Sequence, residues 1–379
     1  KWHVSAFSRP DKFGWELLHG GGVGFEDIRE RWDAYRKLAE KPEPAERGEG
    51  GILRPGYPHY VTYTSTGEQG NGHDEGAVAT AVEALPDLAA SGDPWCLYVG
   101  CIMPHDPYNV PQKYLDLYDV DDIPLPPSYA DTLADKPRLY QRMRNMRWGQ
   151  LTEREVREAI RHFWAYCTYL DDLFGQVLAA LDATGQADDT LVLYCSDHGD
   201  YCGDHGLFCK GIPAFRGAYH VPAVVRWPAG DVEPGRRIDA FVSLADFAPT
   251  FTELAGKTPD ADLSGRSLLP LLRGEAPADW RDEMNYQCNG VELYYTQRTV
   301  LTKDWKYVFN GFDFDELYDL RNDPHEMTNL ADDPAHEPVK RDMCRRMWRF
   351  AHRELDTMIN GYITVALAPY GPADAFREP

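Results

Sequence analysis

The sequence lacks a long hydrophobic run. No segment approaches the roughly 20 consecutive apolar residues that a membrane-spanning helix needs, so no membrane partner is predicted. A signal peptide is not recognisable either, because the chain opens with Lys1, Trp2 and His3 and has no initiating methionine. We therefore expect Lys1 to lie at a truncated end and not at the native N-terminus of the protein.

Basic residues are scarce. Among 379 residues, 39 Lys and Arg stand against 61 Asp and Glu, which gives a formal net charge of −22. A surface this acidic repels a phosphate backbone, so nucleic acid is excluded as a general partner. An anionic substrate would need a local cluster of cations or a metal ion. The 43% hydrophobic residues allow a sizeable core and exclude general disorder.

Paired cysteine motifs are also absent. The eight cysteines include no CxxC pair, which disfavours a zinc site at Cys202 and Cys209. Cys96, Cys101 and Cys195 lie in apolar runs and are predicted to be buried thiols. Unpaired thiols favour a reducing compartment, so a cytoplasmic location is slightly favoured over a periplasmic or secreted one.

The pattern of apolar residues predicts an α/β fold. Helices are expected over residues 74–85 and 152–183, the second with a capping box formed by Thr152 and Glu155. Apolar runs at 95–103, 190–196 and 221–227 predict buried strands. Together they indicate a large, mostly parallel or mixed sheet flanked by helices in a main domain, residues 1–279. A smaller α+β subdomain, residues 280–379, is expected to hold an antiparallel hairpin (299–301 and 305–309), a strand at 316–320 and a helix over 338–358.

Polar residues follow two of the predicted strands. His105 and Asp106 come after the first strand, and Asp197 and His198 after the second. Ligands bind outside the carboxyl ends of parallel strands, and adjacent Asp and His can offer an oxygen and a nitrogen to one metal ion. A hard cation needs more oxygen ligands than these, so others would have to come from elsewhere. An isolated Asp-His-Gly more often forms a turn closed by an Asx cap, so the neighbouring residues have to support the metal interpretation.

The loop over residues 197–211, DHGDYCGDHGLFCKG, ends near Lys210. Its ammonium group would suit a tetrahedral oxyanion, and Lys1 and His3 could add a second cation and a proton-transfer group. A solvated surface lysine at 210 and a turn-capping histidine at 105 remain the alternatives.

Five motifs in order resemble the formylglycine-dependent sulfatases of the alkaline phosphatase superfamily, over essentially the whole chain. Residues 1–3 resemble the end of a Gly-Lys-Trp-His motif, and residues 103–108 resemble a Pro-His-x-Pro segment. Residues 196–199, with Lys210 following, are similar to a metal motif. Residues 221–228 and 316–330 resemble the next strand and the C-terminal signature. The resemblance implies an alkaline-phosphatase-like fold and hydrolysis of a small-molecule or glycan sulfate ester.

The resemblance also implies residue roles. Asp197 and His198 would bind one divalent cation, most commonly Ca²⁺, with Mn²⁺ or Mg²⁺ as alternatives. Lys1 and Lys210 would bind sulfate oxygens. His3 would act on the nucleophile. His105 would act on the leaving-group side, as a sulfate ligand or as a general acid. The residues expected to line the substrate pocket are Tyr108, Asn109, Tyr201, His205 and Phe208.

One motif of that family is missing. No C/S-x-P-x-R sequence occurs, so the formylglycine nucleophile and a first pair of metal-binding aspartates are expected to belong to a segment N-terminal to Lys1 that is absent, cleaved or on another chain. Without it, the chain is not expected to turn over substrate. The alternatives are a phosphonate or phosphate ester hydrolase of the same fold, and an inactive anion-binding fragment. The Pro- and aromatic-containing tail after residue 361 leaves a homo-oligomer open.

Overall fold

The computed structural model describes residues 10–20, 28–40, 46–54, 60–230, 232–290, 295–311, 313–357, 359, 362 and 370–377. The helices are α1 (Ile28–Ala39), α2 (Gly72–Ser91), α3 (Gln112–Leu115), α4 (Arg138–Met146), α5 (Glu153–Ala183), α6 (Arg216–Tyr219), α7 (Phe247–Leu254), α8 (Leu269–Leu272) and α9 (Glu337–Arg353). The strands are β1 (Gly51–Ile52), β2 (Tyr60–Val61), β3 (Tyr63–Ser65), β4 (Tyr108–Val110), β5 (Val192–Cys195), β6 (Ala223–Arg226), β7 (Glu283–Cys288), β8 (Gln297–Thr302), β9 (Trp305–Asn310) and β10 (Glu316–Asp319).

The strands form small sheets in a mixed helix and sheet architecture. β3 and β4 pair in parallel, whereas β1 pairs with β2 and β5 with β6 in antiparallel orientation. The largest sheet in the described ranges is antiparallel, in the order β10-β9-β8-β7. The C-terminal antiparallel sheet was predicted, and the antiparallel pairing of β5 with β6 is compatible with a mixed sheet but not with a purely parallel one.

The chain divides into two compact units. Unit 1 comprises Lys1–Pro126, Arg144–Thr190 and Leu207–Cys209, and unit 2 comprises Pro127–Met143, Leu191–Gly206 and Lys210–Pro379. The predicted boundary between residues 279 and 280 falls inside unit 2 and remains a prediction about domain organisation.

Helix α5 organises unit 1 and begins where the sequence predicts. Thr152 caps it, since its side chain accepts the Glu155 N–H and the Glu155 carboxylate accepts the Thr152 N–H in return. The same carboxylate also accepts the Gly50 N–H at 2.8 Å and pairs with Arg47. The capping box therefore fixes both the start of α5 and the chain just before β1.

One face of α5 is buried along its length. Apolar residues recur on this face at three- and four-residue steps: Val156, Ile160, Tyr166, Tyr169 and Leu173 are buried, and Phe163 is half-buried. Towards the C-terminal half of α5 the burial is less complete, because Leu170, Phe174, Val177 and Leu178 are half-buried, although Leu181 is buried. Helix α2, longer than the predicted 74–85, packs against α5.

The predicted strand at 95–103 does not form among the described residues. Tyr98 in its middle is 57% exposed, and no described strand pairs with this stretch. A strand needs a neighbour for its backbone N–H and C=O groups, so an apolar run by itself does not make one. The predicted burial of Cys96 and Cys195 is also wrong, because both are exposed; all eight cysteines are unbridged thiols.

The core of the C-terminal part lies between its sheet and α9. Val300, Tyr307 and Leu317 of three adjacent strands are fully buried and pack with Met347 and Trp348 of α9. The predicted hairpin, the following strand and the helix are confirmed. Strand β7, whose residues pair with β8 throughout Glu283–Cys288, was not predicted. None of the described helices is long and apolar enough to cross a membrane.

The capping box makes a prediction about acid stability. Burial tends to raise the pKa of Glu155, but its bonds to Arg47, Thr152 and Gly50 outweigh burial and hold the pKa at about 2. A lowered folded-state pKa stabilises the fold above the unfolded pKa of about 4.3, and this stability is lost as pH falls towards 2. Glu155→Gln should lower the unfolding free energy by about 1–2 kcal/mol at pH 7.

The difference in unfolding free energy between Glu155→Gln and the wild type should shrink when urea unfolding is measured at successively lower pH, from pH 5 to pH 3. The matched control is Glu83→Gln, since Glu83 is exposed on α2. A Glu155→Gln variant as stable as wild type at pH 7, or equally destabilised at every pH, would contradict the role given to this carboxylate.

Candidate active site

The segment before β4 carries the histidine predicted to act on the leaving group. His105 is half-buried, and its Nδ1 lies 2.7 Å from the Asp106 carbonyl oxygen and 3.1 Å from the Asp106 carboxylate. A carbonyl oxygen can only accept, so Nδ1 carries the hydrogen and the neutral ring has its lone pair on Nε2. The Tyr60 hydroxyl donates to the Asp106 carboxylate. His105 is therefore held in one tautomer.

A buried carboxylate supports this segment from α2. Asp74 is fully buried, and its oxygens accept the N–H groups of Ile102 and Met103 at 2.9–3.0 Å. It thereby fixes the backbone two residues before His105. The sequence analysis did not identify Asp74, because an acidic residue in the first turn of a helix is usually explained by the helix dipole.

The two neighbours predicted to line the pocket differ in exposure. Tyr108 is fully buried in unit 1, where its ring meets Phe163 edge-on with 5.4 Å between centroids. Asn109, next along β4, is exposed. Phe208 is also buried in unit 1, at 5.5 Å from Trp148. Tyr108 and Phe208 thus contribute to packing, and their contact with substrate remains a prediction.

Asp197 and His198 follow β5 in unit 2 as a pair. His198 Nε2 lies 3.8 Å from Asp197 Oδ1, while His198 Nδ1 lies 2.7 Å from the Gly199 carbonyl oxygen. Nδ1 must donate this bond, so the neutral imidazole offers the lone pair of Nε2, which is the form that a metal ion binds. An oxygen and a nitrogen of ligand type are thus placed side by side.

Gly199 fixes the position of this pair on α6. Its N–H donates to the Ala218 carbonyl oxygen at 2.8 Å. A Cβ at residue 199 would lie 2.0 Å from the Gly217 carbonyl oxygen, so only glycine allows this approach. The Asp-His pair is therefore anchored to the backbone of a short helix.

His205 is a buried, oriented histidine of the same unit. Its Nδ1 donates to Asp131 at 2.7 Å, and its ring stacks on Phe215 with centroids 3.6 Å apart. Burial lowers the pKa of His205, and the bond to Asp131 opposes this shift. Lys136, which is fully buried, also pairs with Asp131 at 3.0 Å. The partners of His205 were not visible from the sequence, because Asp131 lies 74 residues earlier.

Lys210 and Tyr201 lie in unit 2 with the Asp-His pair, Lys210 half-buried and Tyr201 buried. Lys1 and His3 lie outside the described residues, so their predicted roles stay predictions.

The side chains of Asp197 and His198 are of the types that bind a divalent ion. Two residues are fewer than such an ion needs as ligands. Asp197 and His198 supply a hard oxygen and an imidazole nitrogen. In the part of the chain that the structure describes, no three His, Cys, Asp or Glu side chains converge as a metal site. Ca²⁺ takes about six to eight oxygen ligands, so these two residues would form one part of its coordination sphere.

Comparison with known families identifies the chain. The family model described as Sulfatase matches residues 1–257, and the model described as N-sulphoglucosamine sulphohydrolase, C-terminal, matches residues 203–353. The chain belongs to the sulfatase family. Sulfatases in general work with a divalent metal ion and a formylglycine. The predicted family resemblance is thereby confirmed.

Relatives and solved structures agree with this assignment. The chain is 32% identical to the multifunctional alkaline phosphatase superfamily protein PehA of Trinickia caryophylli, over 69% of this chain and 57% of the relative. It is 33% identical to a choline-sulfatase of Rhizobium meliloti, over 69% of this chain and 52% of the relative. The chain thus spans about half the length of these curated relatives.

A solved structure supports the fold. The phosphonate monoester hydrolase of Silicibacter pomeroyi shares a TM-score of 0.71 at 23% identity, covering 91% of this chain and 72% of that one. At this identity the likeness shows the fold alone, and it confirms the predicted alkaline-phosphatase-like class.

The Asp-His pair makes a prediction about metal content. Asp197→Asn should weaken divalent metal binding at least tenfold, because it replaces a charged ligand oxygen with a neutral one. Metal content after dialysis, measured by plasma mass spectrometry on the product of the complete gene, tests this. Asp188→Asn removes an equal charge from an exposed residue and should leave metal content unchanged. Equal metal content in both variants would exclude Asp197 as a ligand.

Proposed function

We propose that the protein is a sulfuric ester hydrolase whose anion site includes Asp197, His198 and Lys210 of unit 2, and in which His105 of unit 1 has the leaving-group role that the family resemblance implies. The observation that carries this proposal is the sulfatase family match over residues 1–257, which includes all four residues. The substrate is a sulfate monoester of a small molecule or a glycan. The acidic chain, with a net charge of −22, favours a small ester or a chain end over a long polyanion.

The residues of unit 2 suit the binding of an anionic group. Asp197 and His198 would hold a divalent ion, for which we propose Ca²⁺ because a carboxylate is a hard ligand. When bound, the ion supplies positive charge that stabilises the sulfate oxygens. Lys210 adds a point charge towards the same group, and preorganised cations stabilise charge that spreads over oxygens in the transition state. Together they provide the local cationic site that an acidic protein needs for an anionic substrate.

His105 suits the leaving-group side. Its Nδ1–H is engaged by Asp106, so a proton delivered to a leaving oxygen would come from Nε2 of the doubly protonated ring, which returns to the neutral form with its lone pair on Nε2. The nucleophile is proposed to be a formylglycine in a C/S-x-P-x-R sequence of the complete gene product, with Lys1 and His3 beside it.

A related activity has its own support. The fold match to a phosphonate monoester hydrolase and the relative named multifunctional favour phosphonate or phosphate ester hydrolysis as the second candidate. Sulfate and phosphonate monoesters carry one negative charge and phosphate monoesters carry about two at pH 7, so substrate charge separates sulfate from phosphate esters but not from phosphonate esters.

The first experiment compares substrates on the product of the complete gene. We expect kcat/KM for an aryl sulfate to exceed that for the matching aryl phosphate and aryl phosphonate at least tenfold. Peptide mass spectrometry of the same sample should find a Cys or Ser converted to an aldehyde. The reverse substrate order would favour the second candidate, and hydrolysis of none of the three esters would contradict both.

Removal of the Lys210 charge tests its place in the site. Lys210→Ala should lower kcat/KM for the sulfate ester by about 10²–10³, the usual loss for one preorganised group that stabilises developing charge. The matched control is Lys257→Ala, because Lys257 is exposed after α7. An unchanged kcat/KM in Lys210→Ala would remove this residue from the site.

A further inference from the structure

The chain that follows Lys210 runs through the interior of unit 2. Gly211, Ile212, Pro213, Ala214 and Phe215 are all buried. These residues, together with Arg216, are here called the strap. Buried backbone oxygens and N–H groups need partners, and in the strap side chains from elsewhere supply them.

Two tyrosine hydroxyls hold the start of the strap. The Tyr219 hydroxyl donates to the Gly211 carbonyl oxygen at 2.8 Å. The Tyr201 hydroxyl lies 2.6 Å from the Pro213 carbonyl oxygen and 3.2 Å from that of Gly211. Gly211 has a φ of 141°, a region where other residues are strained. The carbonyl group of Gly211, the residue after Lys210, is thus held by two hydroxyls at a point where the backbone has an unusual conformation.

A buried ion pair holds the end of the strap. Lys306 Nζ donates to the Ala214 carbonyl oxygen at 2.6 Å and contacts Glu326. The other carboxylate oxygen of Glu326 accepts the Arg216 N–H at 2.9 Å. Because both charges are buried, loss of either partner would leave the other charge uncompensated. These residues therefore fix the strap but are poor targets for a test that needs a folded protein.

The same short helix connects the strap to the Asp-His pair. Tyr219 is the last residue of α6, and Ala218, just before it, accepts the Gly199 N–H at 2.8 Å. Tyr219 is itself held by stacking on Tyr286 of β7, with 4.7 Å between ring centroids. Burial raises the pKa of Tyr219, so its hydroxyl remains a donor at neutral pH. Helix α6 is thus a common support for residues 197–199 and for the residue after Lys210.

We propose that Tyr201 and Tyr219 are positioning residues, which set the location of Lys210 relative to Asp197 and His198 by fixing the strap on α6. Neither tyrosine needs to touch substrate in this role. The proposal rests on the proposed function in so far as Lys210 binds the sulfate group.

The test combines Tyr201→Phe and Tyr219→Phe, alone and together, with and without Lys210→Ala. Phenylalanine keeps the ring and removes only the hydroxyl. In the product of the complete gene, the double Phe variant should lose at least tenfold in kcat/KM for an aryl sulfate. In the Lys210→Ala background the same changes should cost less than twofold, because residues that act through Lys210 are not additive with it.

A second measurement does not depend on activity. Amide hydrogen exchange of the strap should accelerate in the double Phe variant. The matched control is Tyr307→Phe, since Tyr307 is fully buried in the same unit and its hydroxyl donates to Asp315 at 2.7 Å and not to a residue of the strap, all of which the structure describes. It should lower the melting temperature while leaving kcat/KM and strap exchange unchanged.

The outcomes separate this proposal from the proposed function. Equal losses in kcat/KM with and without Lys210→Ala, or unchanged exchange of the strap, would overturn the positioning role. A wild-type protein that hydrolyses no sulfate ester would contradict the proposed function, and strap exchange alone would then decide whether the tyrosines fix this segment.

Discussion

The buried ammonium group of Lys306 imposes a constraint on much of unit 2. A charge removed from water must be compensated, and here Glu326 and the Ala214 carbonyl oxygen compensate it. Glu326 in turn accepts the Arg216 N–H. Strand β9, the turn after β10 and the strap must therefore come together for any of these groups to be satisfied. Apolar contacts between these segments would survive small displacements. A buried ion pair would not, because its charges must stay within hydrogen-bond distance.

Local signals in the sequence were sufficient for several elements. Helix α5 was predicted because Thr152 and Glu155 are three residues apart and form their bonds within one turn. The hairpin of β8 and β9 was predicted for a similar reason, since its turn and its apolar residues are close in sequence. The prediction of a strand at 95–103 was wrong, because a strand needs a pairing partner and an apolar run does not specify one.

In the candidate site, too, residues recognisable from local sequence differ from residues that act on distant parts of the chain. Asp197 and His198 were identifiable because they are adjacent and follow an apolar strand. The groups that orient the site were not, because Asp74 acts 28 residues away on Ile102 and Asp131 acts 74 residues away on His205. Lys306 and Tyr219 would be described from sequence as a surface lysine and a core aromatic, and Tyr201 was expected only to line the substrate pocket. Their function becomes visible only through the backbone atoms that they contact.

The ion pair of Lys306 also bears on where this chain could be divided. The predicted boundary between the main domain and the C-terminal subdomain, at residues 279 and 280, suggests a place to divide the chain. A polypeptide ended at residue 279 would lack Lys306 and Glu326, leaving the Ala214 carbonyl oxygen and the Arg216 N–H in the interior without these bonds. The C-terminal strands therefore complete the hydrogen bonding of the strap, and a polypeptide of residues 1–279 would lack these partners for the segment that follows Lys210.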